Sequence, residues 1–133
     1  MKYLLDTNVC IRVMKGDPRV TARMRALRPD DCGVSMVSVY ELFFGVERCR
    51  NPEREADKLL EFLKPLHLWP FDWDAALRTA AVRRQLEASG NRIGPYDLQL
   101  AGQALALDVV MVTNNTREFR RVEGLKVEDW ESE

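Results

Sequence analysis

The chain has 133 residues, of which 46% are apolar and 31% charged. That length and balance fit one globular domain, residues 1–133, which buries its own core without disulfides or a structural metal. The formal net charge of −1 excludes indiscriminate electrostatic adhesion to nucleic acid and leaves only a local basic groove open.

In chain order, Tyr3-Leu4-Leu5 predicts a buried strand that runs into a helix start at Asp6-Thr7-Asn8. A short helix over Val9 to Lys15 stops at Gly16-Asp17-Pro18, and a second runs to Leu27 before the turn Arg28-Pro29-Asp30-Asp31. Gly33 to Met36 reads as a strand, after which Ser38 opens a helix through Glu41 and Phe44 to about Arg50. Asn51-Pro52 starts a helix with the apolar stripe Ala56, Leu59, Leu60 and Leu63. Leu66 to Trp69 is a strand ended by Pro70, and Asp72 caps a helix whose apolar face includes Ala76, Ala80 and Leu86. Gly94-Pro95 opens a helix that is apolar almost all round from Leu98 to Leu107, hence buried. Val109 to Val112 is a fully buried strand type, Thr113-Asn114-Asn115 caps a short helix, and Lys126 to Glu128 is an edge strand.

Strands that are continuously apolar and alternate with helices imply a three-layer α/β/α domain around a mainly parallel sheet. In such sheets ligands bind beyond the carboxyl ends of the strands, near a topological switch point. Asp6 follows the first strand, Glu41 lies one turn into the helix after the second, Asp97 is in the first turn of the helix before Val109, and Asn114 and Asn115 follow that last buried strand. Each alone has a structural explanation. Asp6 can be a helix cap, as can Asn114 or Asn115, Ser38 to Glu41 matches a capping box, and Asp97 complements a helix dipole. Together they direct carboxylates to one sheet edge, where they repel one another unless a cation lies between them. Oxygen ligands with retained waters suit magnesium or manganese, and the chemistry is phosphodiester hydrolysis.

Other chemistries fit poorly. His67 is the single histidine, so a paired-histidine nuclease is excluded. Neither a phosphate-cradling glycine loop nor a glycine-flanked serine elbow is present. Cys10, Cys32 and Cys49 are odd in number and fit no disulfide framework or zinc site, so they read as thiols in a reducing cytoplasm. A charge at Asp6 comes too early for a signal peptide, and no apolar run is long enough to span a membrane.

The blocks Met1 to Asn8, Ser35 to Leu42, Ile93 to Asp97 and Val112 to Phe119, with Arg121 to Leu125 and Glu128 to Trp130, resemble the ordered motifs of PIN-domain nucleases and of VapC-type toxins from end to end. The resemblance implies a magnesium-dependent endoribonuclease, with manganese as a substitute, forming the toxin half of a bacterial toxin–antitoxin pair. It further implies a small antitoxin that blocks the site, and self-association as a homodimer and as a larger hetero-oligomer with that antitoxin. The implied substrate is transfer RNA, commonly the anticodon stem-loop of the initiator tRNA. By position, Asp6 and Asp97 would hold the metal, and Glu41 would complete its shell or orient the attacking water. Many PIN domains have an aspartate where this chain has Asn115, which argues against a second tightly bound ion. Glu118 reads as a solvated helix residue.

Arg83, Arg84, Arg92, Arg117, Arg120 and Arg121 are candidate RNA contacts, with Arg92 and Arg117 flanking site blocks. Tyr96, beside Asp97, is a candidate for base stacking. Phe43 and Phe44 cannot both face one narrow core, so one of them is a candidate lining for an antitoxin groove. The rival reading from another class is a PIN-like module that binds RNA or protein without cutting, and a nuclease acting on DNA is a third.

Overall fold

The computed structural model describes residues 2–131. Its strands are β1 (Tyr3–Leu5), β2 (Cys32–Ser35), β3 (His67–Trp69), β4 (Val110–Val112) and β5 (Val127–Glu128). The helices are α1 (Thr7–Met14), α2 (Pro18–Arg25), α3 (Met36–Glu47), α4 (Pro52–Leu63), α5 (Trp73–Ala88), α6 (Pro95–Leu107) and α7 (Thr116–Phe119). The five strands form one sheet in the order β3-β2-β1-β4-β5, with every pairing parallel.

Successive strand residues face opposite sides of a sheet. Leu5 therefore packs with Val34, Val112 and residues of α1 to α4, including Val9, Val20, Leu42 and Leu59. Leu4 and Met111 pack on the other side against Val82 and Leu86 of α5 and Leu100, Ala101 and Ala104 of α6. Both faces are covered, which explains why the central strands carry no polar alternation. Among the described residues, no helix is long and apolar enough to cross a membrane.

Three local expectations are corrected. Met36 is the first residue of α3, not the last of β2, because Ser35 caps the helix by accepting from the Val37 amide at 3.0 Å. Ala76 and Ala80 are exposed, and the core face of α5 is Ala75, Val82 and Leu86. On α4, Leu59 and Leu63 are buried, but Leu60 is 54% exposed.

The α5–α6 contact depends on Gly102. A Cβ at that position would run into the side chain and backbone of Thr79, whose hydroxyl already donates to the Ala75 carbonyl at 2.7 Å. Gly102→Ala should therefore destabilise the protein by about 1–3 kcal/mol through overpacking, despite alanine's better helix propensity. A urea unfolding curve with a lowered midpoint and an unchanged slope is the expected result.

Candidate active site

β1 occupies the centre of the sheet. The chain moves outward from it through β2 and β3, then returns to place β4 on its other side. This reversal opens a crevice at the carboxyl ends of the central strands. Asp6 is the first residue past β1, and its amide donates to the Val112 carbonyl at 2.9 Å, tying it to the end of β4. α3 brings Glu41 to the same edge, α6 brings Asp97, and the turn after β4 brings Thr113 and Asn115.

Capping alone does not account for these residues, although Asp97 does lie in the first turn of α6. Asp6 and Asn115 occupy N-cap positions of α1 and α7 without a capping side-chain hydrogen bond. The proposed Ser38–Glu41 box cannot form, since Ser35 is the cap and Ser38 lies inside α3. Their polar groups instead bond across the site. The Thr113 hydroxyl donates to Asp6 Oδ2 at 2.8 Å. Thr7 Oγ1 lies 2.9 Å from Glu41 Oε1 and 2.8 Å from Ser38 Oγ. An ionised carboxylate only accepts and a hydroxyl has one hydrogen, so Thr7 gives its proton to Glu41 and receives one from Ser38. Asn115 Nδ2 donates to Glu118 Oε2 at 2.9 Å and, at 3.4 Å, to Asp97 Oδ2. The amide nitrogen therefore faces the carboxylates and bridges two of them.

Glu118 is thus part of the cluster rather than a solvated helix residue. Its place three residues after Asn115, on the same helix face, is the sequence signal for it. Thr7 and Ser38 also belong to the site, though the sequence marks Ser38 only as a helix cap and Thr7 not at all. Ser38 stands three residues before Glu41 on α3, but nothing in the sequence shows that α1 brings Thr7 between them.

The carboxylates disturb one another electrostatically. Asp97 is pushed up to about 6, first by burial and then by the charges of Asp6, Glu118 and Glu41. Burial raises Asp6, opposed by the Thr113 hydroxyl and the neighbouring Thr7 and Asn8 amides. Glu41 is raised by burial and by Asp6, while Thr7 pulls it down. Among the described residues, no lysine or arginine forms an ion pair with any of these four. The donor set is all oxygen, negatively charged and without a chain cation, and so fits a hard divalent ion. Among the described residues, no three histidine, cysteine or carboxylate side chains converge on one ligation point.

The other candidates separate. Arg83 pairs with Glu87 at 3.1 Å, and Arg121 donates to the Arg92 carbonyl at 2.9 Å. Arg117 is exposed on α7, next to Glu118. Phe43 packs partly buried against the core, and Phe44 is exposed beneath the Arg48 guanidinium. Neither lines the molecule's large groove, which lies between α1, α3 and α4.

Residues 3–125 match the PIN domain family. The chain is 37% identical to the tRNA(fMet)-specific endonuclease VapC of Shigella flexneri, over 98% of both chains. It belongs to the PIN-domain family, among the VapC ribonucleases. Its fold matches that of DNA-bound VapBC from Salmonella typhimurium, with a TM-score of 0.92 and 36% identity over 98% of each chain. VapBC2 from Rickettsia felis, bound to a DNA fragment from its promoter, gives a TM-score of 0.92 and 30% identity, covering 98% of this chain and 100% of that one. As a member of this ribonuclease family the protein is an endoribonuclease.

Proposed function

We propose that this protein is a magnesium-dependent endoribonuclease toxin that cuts the anticodon stem-loop of an initiator tRNA in the cytoplasm and is held in check by a small antitoxin. The observation that carries this reading is that Asp6, Glu41, Asp97 and Glu118 lie near enough at one sheet edge to raise Asp97, while among the described residues no lysine or arginine pairs with them. The choice of tRNA is supported by the specificity in the name of the Shigella flexneri relative.

In this reading Asp6 and Asp97 would hold the magnesium or manganese ion, and Glu41 would complete its shell or orient the attacking water. When bound, the ion polarises the scissile phosphate and lowers the pKa of water. Glu41 is held at Oε1 by the Thr7 hydroxyl, which fixes its carboxylate for either role. Thr113 fixes the rotamer of Asp6, and the Asn115 amide donates to both Asp97 and Glu118 and so offsets part of their repulsion.

The antitoxin reading is supported by a groove of about 820 Å³ lined by Ile11, Leu42, Val46, Leu59 and Phe62, with Glu41 among its walls. An apolar segment laid in it reaches the acidic rim, where a basic side chain would neutralise the carboxylates. The related solved structures are VapBC complexes, which also supports assembly with such a partner.

The test is end-mapped cleavage of total cellular RNA with magnesium and with chelator. Discrete cuts in one tRNA are expected only with the metal, and Asp6→Ala should abolish them. Cuts that persist in Asp6→Ala would remove the assignment. Thr7→Val should lower kcat by roughly 10–100-fold, the usual cost of losing a side chain that positions a metal-site ligand, with KM little changed. Thr7→Ser should recover most of the loss, because it restores the hydroxyl.

A further inference from the structure

Tyr40 and Tyr96 stand directly before Glu41 and Asp97 on two different helices, α3 and α6. Their rings meet edge to face with centroids 6.0 Å apart, and the Tyr96 hydroxyl donates to that of Tyr40 at 3.4 Å. Both are solvent-exposed, at 58% for Tyr40 and 40% for Tyr96. The core does not account for them, since neither belongs to the two buried clusters. The large groove does not account for them either, because it is lined by other residues.

Residues adjacent on a helix point about 100° apart. When Glu41 and Asp97 turn toward the sheet edge, the preceding tyrosines are carried to the solvent side of the same rim. Two aromatic faces are thereby fixed next to the carboxylates, one from each helix. From the proposed ribonuclease reading, on which this step rests, we infer that Tyr40 and Tyr96 form a stacking subsite for an unpaired base beside the scissile phosphate.

The chemistry agrees with this occupant. An acidic rim attracts a phosphate only through a cation, so it contributes little to holding RNA in the correct register. Ring stacking is indifferent to that charge and is open to any base splayed from a loop, whereas paired bases keep their faces covered. The subsite therefore selects loops over duplex, and its hydroxyls provide donors and acceptors at the base edge. A protein contact is the alternative occupant. The immediate neighbourhood of the reacting carboxylates favours the nucleotide, because two separate helices each supply one ring directly before a site residue.

The experiment uses the full chain and a labelled RNA hairpin carrying the cut loop, with a second hairpin in which the base next to the cut is replaced by an abasic site. Tyr40→Ala and Tyr96→Ala should each raise KM about tenfold to a hundredfold on the intact hairpin, with kcat changed far less. Tyr40→Phe and Tyr96→Phe should recover most of that loss. On the abasic hairpin, the parent and the alanine variants should converge to similar KM values. Exposed positions should leave the melting temperature near that of the parent. Penalties from the alanine and abasic changes that simply multiply would overturn the subsite. Alanine variants that alter sedimentation but not KM would also overturn it, and would assign the rings to a protein contact. A parent protein that cuts the hairpin with no dependence on the rings defeats this inference alone, whereas one that neither binds nor cuts it defeats the ribonuclease substrate reading as well.

Discussion

Asp97→Asn should leave a folded, slightly more stable protein that no longer cuts RNA. Losing a charge that stabilises the reacting centre should lower kcat/KM by on the order of 10²–10³-fold. The stability change has the opposite sign to that of an ordinary helix-end carboxylate, whose removal costs about 0.5–1 kcal/mol. Asp97 is pushed up to about 6 by burial and by Asp6, Glu118 and Glu41, so its ionised form is penalised in the fold. Without solvent screening, the rise from 3.8 corresponds to about 3 kcal/mol at neutral pH. Asp97 is half-buried, and solvent screening reduces this to about 1–2 kcal/mol. Metal-free Asp97→Asn should therefore melt a few degrees higher than the parent at pH 7, as read by circular dichroism. A lower melting temperature together with retained cleavage would make Asp97 a helix-end residue and nothing more.

The same crowding should invert the usual response of a carboxylate to pH. Because Asp97 binds its proton more tightly in the folded state than in the unfolded chain, stability falls as pH rises from about 4 through about 6. Below that window both states are protonated and the penalty is absent, and above it the penalty is complete. Asp6 and Glu41 are raised in the same direction and add to the slope. A divalent ion that binds only the folded, ionised cluster opposes this loss. At a hundredfold excess over its dissociation constant it contributes about 2.7 kcal/mol. Urea titrations across this pH range should show a declining midpoint in chelator and a flat or rising one in magnesium. A metal-free midpoint that rises through the window would show that these carboxylates are stabilised by the fold rather than strained by it.

The gross architecture was legible because its signals are large. β1 and β4 are apolar without alternation, which implies a sheet covered on both faces, and Leu4 and Leu5 indeed face opposite cores. The stretch from Leu100 to Ala104 is buried, as its all-round apolar character implied. Asp6, Glu41 and Asp97 could be placed at one edge from the positions of their elements alone. The errors arose where the chemistry of a single residue has two meanings. Ser35 and Ser38 are both competent caps, and Glu41 three residues after Ser38 imitates a capping box. On α5 the alanines carry too little contrast to define a face, so sequence alone does not separate the buried Ala75 from the exposed Ala76 and Ala80. Glu118 and Thr7 depend on neighbours that only the folded chain supplies, namely Asn115 for the first and the packing of α1 beside α3 for the second.

Manganese binding followed by electron paramagnetic resonance addresses the central claim most directly, because it counts bound ions without requiring a substrate. The parent at neutral pH should remove manganese from the free signal in a saturable manner, and Asp6→Asn and Asp97→Asn should each weaken that uptake by at least tenfold. Equal uptake by the parent and by both asparagine variants, or no uptake by the parent, would contradict a cation site built on these carboxylates.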